Sequence, residues 1–310
     1  MAQQAFPADV QAILLDFKID CHTAEMPNRY IANSACSMAA VSLGGLTACA
    51  PRNDQLTPLG VQLYSVRHEL DDDFEGTIAQ LARMGYEGVE FADYHGKSAR
   101  EIREILDRYD LQACGTHVVA GVLRGDNFEE TVEFNRELGN ENFILRWIDE
   151  EERDSRDTFM ETIDEYNEIV ERLSRYDMRL GYHNHDYIFD TFDGDYLWDI
   201  LAENSDNRFI MQLDTGHAAS VGQDPVELMH RHPGRTASMH AKAYSETNEE
   251  AVIGEDQLDW PGIIQAAKEV GGIEWHILEY EIEGVPPLEA LEACIRNFRE
   301  IRQRVLETQT

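Results

Sequence analysis

The sequence predicts a (β/α)8 barrel, an α/β fold of the TIM type, preceded by an N-terminal extension. Three observations carry this. From Leu59 onward, short apolar, β-rich segments alternate with longer stretches at helical spacing, the pattern of parallel strands joined by helical crossovers. Eight such units follow one another in about 250 residues, the usual size of this barrel. No composition break or Pro/Ser-rich linker interrupts them, so residues 57–310 read as one domain.

The units run in order along the chain. LGVQLYS (59–65) precedes a helix near 73–84, GVEFA (88–92) one at 98–109, LQACGTHV (111–118) one near 128–138, and NFILRW (142–147) one near 157–175. MRLGYHNH (178–185) leads to a helix near 195–203, RFIMQLD (208–214) to a short one at 224–231, TASMHAK (236–242) to 261–269, and IEWHILEY (273–280) to 288–304. A doubly wound open sheet is the structural alternative, but no Gly-rich dinucleotide turn follows the first strand.

Residues 1–56 do not share this rhythm. The run YIANSACSMAAVSLGGLTACAP (30–51) carries no charge and is too short and too weakly apolar for a spanning helix. It is expected to be an export signal, and its end, Leu46-Thr47-Ala48-Cys49, resembles a bacterial lipobox that would make Cys49 a lipid anchor. The protein would then be periplasmic or at the cell surface. An apolar arm packed on the domain of a cytoplasmic protein is the alternative. Three of the five cysteines lie in this piece, leaving Cys114 and Cys294 in the barrel without zinc spacing, so neither a disulfide framework nor a Cys-based zinc site is expected.

Composition bounds the function. Of 310 residues, 43% are hydrophobic, ample for a core, whereas 60 acidic residues against 26 basic give a net charge of -34. Such a field repels nucleic acid and anionic membranes, so neither is an expected partner. Only Lys18, Lys97, Lys242 and Lys268 are lysines. An acid-rich, lysine-poor chain suits concentrated salt, where repulsion is screened to within about 3 Å, and it predicts a halophilic source.

In this barrel type, active sites form at the carboxyl ends of the strands, and polar residues collect there in this sequence. Gln62 and Tyr64 end the first strand, Glu90 the second, His117 the third, Arg146 and Trp147 the fourth. His183 and His185 end the fifth, Asp214 the sixth with His217 beyond it, His240 and Lys242 the seventh, and Glu279 the eighth. Packing alone does not explain eight polar ends in succession, because each unpaired buried polar group costs about 1–3 kcal/mol. Asp214, His240 and Glu279, with His183 as fourth ligand, supply a mixed nitrogen and oxygen shell suited to Mn2+, Co2+, Zn2+ or Fe2+ more than to Ca2+. His185 is the competing choice for the fifth-strand ligand.

The motifs LGVQLYSVR, GYEGVEFADYHG, YHNHD, LDTGH, DPVELMHRHPGR and the late EYE together resemble the sugar phosphate isomerase/epimerase family, the xylose isomerase-like TIM barrels that include inosose dehydratases and ketose 3-epimerases. The resemblance spans roughly 59–304. It implies the metal set named above and a substrate contact by His217, with Glu90 and His117 lining the same pocket. Gln62, Tyr64, Trp147 and Lys242 complete the expected substrate-binding set. Two departures stand out. His183 occupies the position where ketose epimerases of the superfamily carry a glutamate, which argues against a two-carboxylate epimerisation. The seventh strand reads HAKAY, without the acid that commonly follows the lysine, so Lys242 lacks its usual neighbour.

The expected chemistry is proton removal beside a sugar carbonyl through an enediolate, with the divalent ion stabilising the developing charge. Glu279 is the first candidate base, and His185 or His217 the acid. Isomerisation, epimerisation and dehydration all remain open, on a neutral sugar, keto-sugar or cyclitol. A non-catalytic sugar-binding lipoprotein is the second hypothesis. An endonuclease of the abasic-site type is the third, disfavoured for want of basic patches.

Overall fold

The computed structural model of the chain describes residues 56–308; the export-signal and Cys49 expectations fall outside the described residues. Strands β1 (Leu59–Gln62), β2 (Gly88–Phe91), β3 (Gln112–Val118), β4 (Asn142–Leu145) and β5 (Arg179–His183) come first. Two short strands, β6 (Thr191–Phe192) and β7 (Asp195–Tyr196), form a separate antiparallel hairpin. β8 (Ile210–Asp214), β9 (Ser238–Ala241) and β10 (Trp275–Leu278) follow. The eight longer strands are all parallel and close a barrel in the order β1-β10-β9-β8-β5-β4-β3-β2.

A helix follows each barrel strand as the 3.6-residue spacing predicts, with the first starting at Arg67, ahead of the expected residue 73, and a short one at Thr215–Ser220 that was not expected. The helices are α1 (Arg67–Met84), α2 (Ala99–Arg108), α3 (Phe128–Leu138), α4 (Arg156–Ser174), α5 (Leu197–Asn204), α6 (Thr215–Ser220), α7 (Pro225–Arg231), α8 (Trp260–Ala266) and α9 (Pro287–Glu307). Their ends follow from capping chemistry. Ser98 and Glu101 close a reciprocal box at the start of α2, and Asp224 caps α7 just ahead of Pro225, each satisfying amide donors that the helix cannot. Between barrel and helices lies the main core, with Phe91, Phe143, Tyr182, Met211 and Met239 from the strands and Ile78, Phe159, Tyr166 and Phe298 from the helices all buried.

Period-2 alternation sends the other set of side chains inward. Low in the barrel these are small or apolar. A Cβ on Gly60 would meet Cys114 and Ile277, and one on Gly181 would stand 2.6 Å from the Ile210 carbonyl and 2.9 Å from Ile144. Two residues further along each strand the inward positions become polar: Gln62 pairs in register with Glu90, His183 with Gln212, and Asp214 with His240. The barrel therefore has a small, apolar middle layer beneath a polar upper one.

Most strands stop short of the sequence expectation, and three of these ends move a candidate site residue off its strand face. The first strand stops at Gln62, whose Oε1 accepts from the Tyr64 amide and turns residues Leu63–Val66 into a 3-10 helix. The fourth stops at Leu145, short of Trp147. The fifth stops at His183, so His185 does not share a strand face with it but opens a second 3-10 turn at Asp186–Phe189.

Candidate metal centre at the barrel mouth

At the carboxyl end of the barrel, His183, Asp214, His240 and Glu279 each offer a ligand atom, all within 4.8 Å of one another and all buried. Each stands at the end of a different strand, β5, β8, β9 and just past β10. Asp214 fixes the geometry around it in three ways. Its Oδ1 accepts from the His217 amide at 2.7 Å and so caps α6. Its backbone amide donates to Asn184 Oδ1 at 2.7 Å while Asn184 Nδ2 donates back to its carbonyl at 3.2 Å, which explains the asparagine between the two histidines of YHNHD. Its Oδ2 is buried and has no hydrogen-bond partner among the described residues. An orphaned carboxylate oxygen is costly unless something absent from the protein chain pairs with it. The His183 Nε2 and His240 Nδ1 atoms both lie 3.9 Å from that oxygen, and His240 Nδ1 lies 3.0 Å from Glu279 Oε2. Two imidazole nitrogens and two carboxylates converging on one buried point fit a borderline divalent cation.

Beneath this set lies a saturated layer. Glu90 Oε2 accepts from His240 Nε2 at 2.5 Å and from Gln62 Nε2 at 2.8 Å, with His117 Nε2 3.1 Å away, while its Oε1 accepts from Gln212 Nε2 at 2.8 Å. Burial works to raise the Glu90 carboxyl, yet the flanking His117 and His240 hold it well below the usual carboxylate range. Burial likewise works to lower His240, but Glu90 and Glu279 outweigh it and push the imidazole up to about 10. Glu279 is held low against its burial, chiefly by Lys242 and then by His240. Burial drives His183 well down, with the neighbouring imidazoles adding to it.

Above the centre, the mouth is lined by His185, His217, Trp147 and Lys242. His185 and His217 face each other with ring centroids 4.9 Å apart, and His185 meets Trp147 edge-on at 5.3 Å. His185 Nδ1 is buried without a partner among the described residues. Lys242 Nζ donates to His217 Nε2 at 3.3 Å, lies 3.5 Å from Glu279 Oε2, and makes its closest contact with Glu281. Glu281 thus supplies, from beyond the last strand, the acidic neighbour that HAKAY does not.

The sequence-derived residues fall into three groups. His183, Asp214, His240 and Glu279 come together as expected, and among the described residues it is His183, not His185, that joins Asp214 and Glu279 in one cluster. Gln62 and Glu90, expected in the substrate-binding set, are fully buried; His117, a tenth or less exposed, is held by the same layer. Tyr64 sits on the turn after β1 with the Arg67 guanidinium 4.2 Å over its ring, while Trp147 is 40% exposed at the rim. Gln212 and Ser238 were missed. Only their place on inward faces could have signalled them.

Fold and site together define a (β/α)8 barrel whose carboxyl end gathers a buried imidazole and carboxylate centre able to hold a divalent metal. The chain belongs to the xylose isomerase-like TIM barrel family, whose profile matches residues 78–301. An inosose dehydratase of Lacticaseibacillus casei is 22% identical over 279 residues, covering 76% of this chain and 89% of the relative. Among solved structures, a sugar phosphate isomerase/epimerase from Parabacteroides distasonis superposes with a TM-score of 0.68 at 22% identity, over 80% of this chain and 95% of the other. The structure of the IOLI protein with a binding zinc atom superposes with a TM-score of 0.64 at 13% identity, over 80% and 99%.

Proposed function

We propose that this protein is a divalent-metal-dependent enzyme that isomerises, epimerises or dehydrates a neutral sugar, keto-sugar or cyclitol. The observation that carries the reading is the buried, unpartnered Asp214 Oδ2 facing His183, His240 and Glu279. His183 Nε2, Asp214 Oδ2, His240 Nδ1 and Glu279 would hold the ion, and the zinc named in the IOLI structure supports Zn2+ beside Mn2+, Co2+ and Fe2+ as its identity. When bound, a divalent cation stabilises negative charge on a carbonyl oxygen and its neighbouring hydroxyl, which eases removal of the proton between them.

The chain's own groups supply the proton transfers. Glu279, kept ionised by Lys242 and His240, is the candidate base that takes the proton from carbon. His185, with its open Nδ1, and His217 are the candidate acids across the pocket; because His217 Nε2 accepts from Lys242, the proton of a neutral His217 sits on Nδ1. Returning the proton to carbon gives isomer or epimer, and giving it to a β-hydroxyl releases water. Relatives named inosose dehydratase make a cyclitol ketone the first substrate to try. A neutral substrate is favoured because two cations the sequence offers for a phosphate are already engaged, Lys242 by Glu281 and Arg124 by Glu152 and Glu165.

The test is exchange of a substrate C–H proton with deuterium from solvent by metal-loaded protein across keto-sugars and inososes. Exchange that stops on chelation is the expected result. Sugar affinity with no exchange on any substrate would replace the enzyme with the non-catalytic binding protein. Export and lipidation at Cys49 stand as a separate proposal, checked by intact mass of the membrane-fraction protein and its change in Cys49→Ala.

A further inference from the structure

We propose that Gln212 is a positioning residue that fixes which ring nitrogen of His183 faces the metal centre; this rests on the reading of the barrel mouth as an ion site. The argument starts from what each group can donate and accept. Glu90 stands as an acceptor: Gln62, whose own Oε1 is taken by the Tyr64 amide, turns its Nε2 to Glu90 Oε2 at 2.8 Å, and His240 Nε2 stands 2.5 Å from the same oxygen. The Gln212 amide nitrogen must therefore be the atom facing Glu90 Oε1 at 2.8 Å, and the same nitrogen reaches Ser238 Oγ at 2.8 Å. That choice leaves the carbonyl oxygen on the opposite side, where it lies 3.0 Å from His183 Nδ1 and 2.9 Å from His117 Nε2.

A carbonyl oxygen cannot donate. His183 must carry its proton on Nδ1, which leaves the Nε2 lone pair turned toward Asp214 Oδ2. His240 is set by the same carboxylate that orients Gln212: its Nε2–H donates to Glu90 Oε2, leaving Nδ1 toward Glu279. One acid at the bottom of the layer thus meets His240 directly and sets the presentation of His183 through one amide. Gln212 is fully buried and cannot borrow partners from water, so the orientation that serves Glu90 and Ser238 also fixes the His183 tautomer. Partners of this kind, one bond removed from the ligand, typically change metal affinity about 10–100-fold when lost.

The experiment uses the full chain labelled with 15N-histidine. Long-range 1H–15N correlation of the ion-free protein, with the His183 signals identified by their loss in His183→Gln, is expected to show the proton on Nδ1. A proton on Nε2 would overturn the proposal without any Gln212 variant. Gln212→Met keeps the side-chain length and removes both donor and acceptor; it is expected to mix the His183 tautomers, weaken Co2+ binding about 10–100-fold and alter the Co2+ visible spectrum. Binding within twofold of the unaltered protein, with an unchanged tautomer and spectrum, would also overturn it. An unaltered protein that takes up no Co2+ would sink the ion reading itself, and with it the purpose assigned to Gln212, even with the expected tautomer.

Discussion

The two ends of the barrel use the same kinds of residue to opposite effect. At the amino end, Arg179 pairs with both oxygens of Glu274 at 2.9 and 2.5 Å and donates to Asn142 Oδ1 at 3.0 Å. Arg235 beside it donates to Ser205 Oγ and to the carbonyls of Ala202, Asp206 and Phe209. There the charges close on each other. At the carboxyl end, Asp214 Oδ2 and His185 Nδ1 are buried and left open, although donors and acceptors crowd around them. Residue type does not separate a structural end from a chemical one; the gathering of several ligand atoms around one open, buried carboxylate oxygen does.

The sharpest way to break this contrast is Glu279→Gln, which keeps the shape of the mouth and removes the candidate base and one ligand charge. Solvent exchange into substrate is expected to fall by about four orders of magnitude, with the unfolding midpoint little changed. A variant that retained most of its exchange would show that the open end is not the reacting end.

A second, smaller effect lies in the wall between helix and strand, where His276 is buried against Phe298 at 5.2 Å with its Nδ1 unpartnered. Burial first, and then Arg302, lowers its pKa from 6.5 to about 3. Because the folded state resists a proton that the unfolded chain accepts, this histidine withdraws stability as pH falls below 6.5, and the loss levels off near pH 3. At about 1.4 kcal/mol per pH unit the full effect approaches about 4–5 kcal/mol. His276→Phe should flatten the acid limb of stability measured by urea unfolding; an unchanged limb would mean that the histidine does not resist protonation.

Arg235→Met tests the closed end directly. It strands several acceptors and should cost about 2–3 kcal/mol of stability, while the exchange rate per folded molecule stays within about twofold of the unaltered protein. A large loss of exchange at full folding would mean that the two ends are coupled. The smallest effect is global. With a net charge of -34, molar KCl should raise the unfolding temperature by a few degrees through screening, and a fall in that temperature would refute the halophilic reading.

Much of this architecture was legible in the sequence because both periods of the barrel are local. Strand alternation and helix spacing gave every unit, and the strand ends gave the four residues that meet in the cluster. What stayed hidden depends on the height of each inward side chain along the barrel axis, which strand tilt and stagger set and no single strand reports. That is why the full burial of Gln62 and Glu90 was not foreseen, and why Gln212 was passed over. The Lys242 to Glu281 contact joins elements 39 residues apart, beyond any local pattern. The β6 and β7 hairpin was a different kind of miss. TFDGDY contains the Asp-Gly pair of a tight two-residue turn, and Asp193 and Gly194 do take positive φ, 54° and 96°, as that turn demands.

Gly115 sits in β3 opposite Glu90 in register, and a methyl group there would stand 2.6 Å from Glu90 Oε1. That oxygen is pinned by Gln212, so it has nowhere inexpensive to go. Whoever sets out to convert this barrel to another reaction, by swapping donors at the mouth, will find the freedom to do so limited from below by a position with no functional group at all. A saturation scan would record intolerance at residue 115 and invite a label of mere scaffold, when the vacant volume there is the mould in which the reactive centre is cast.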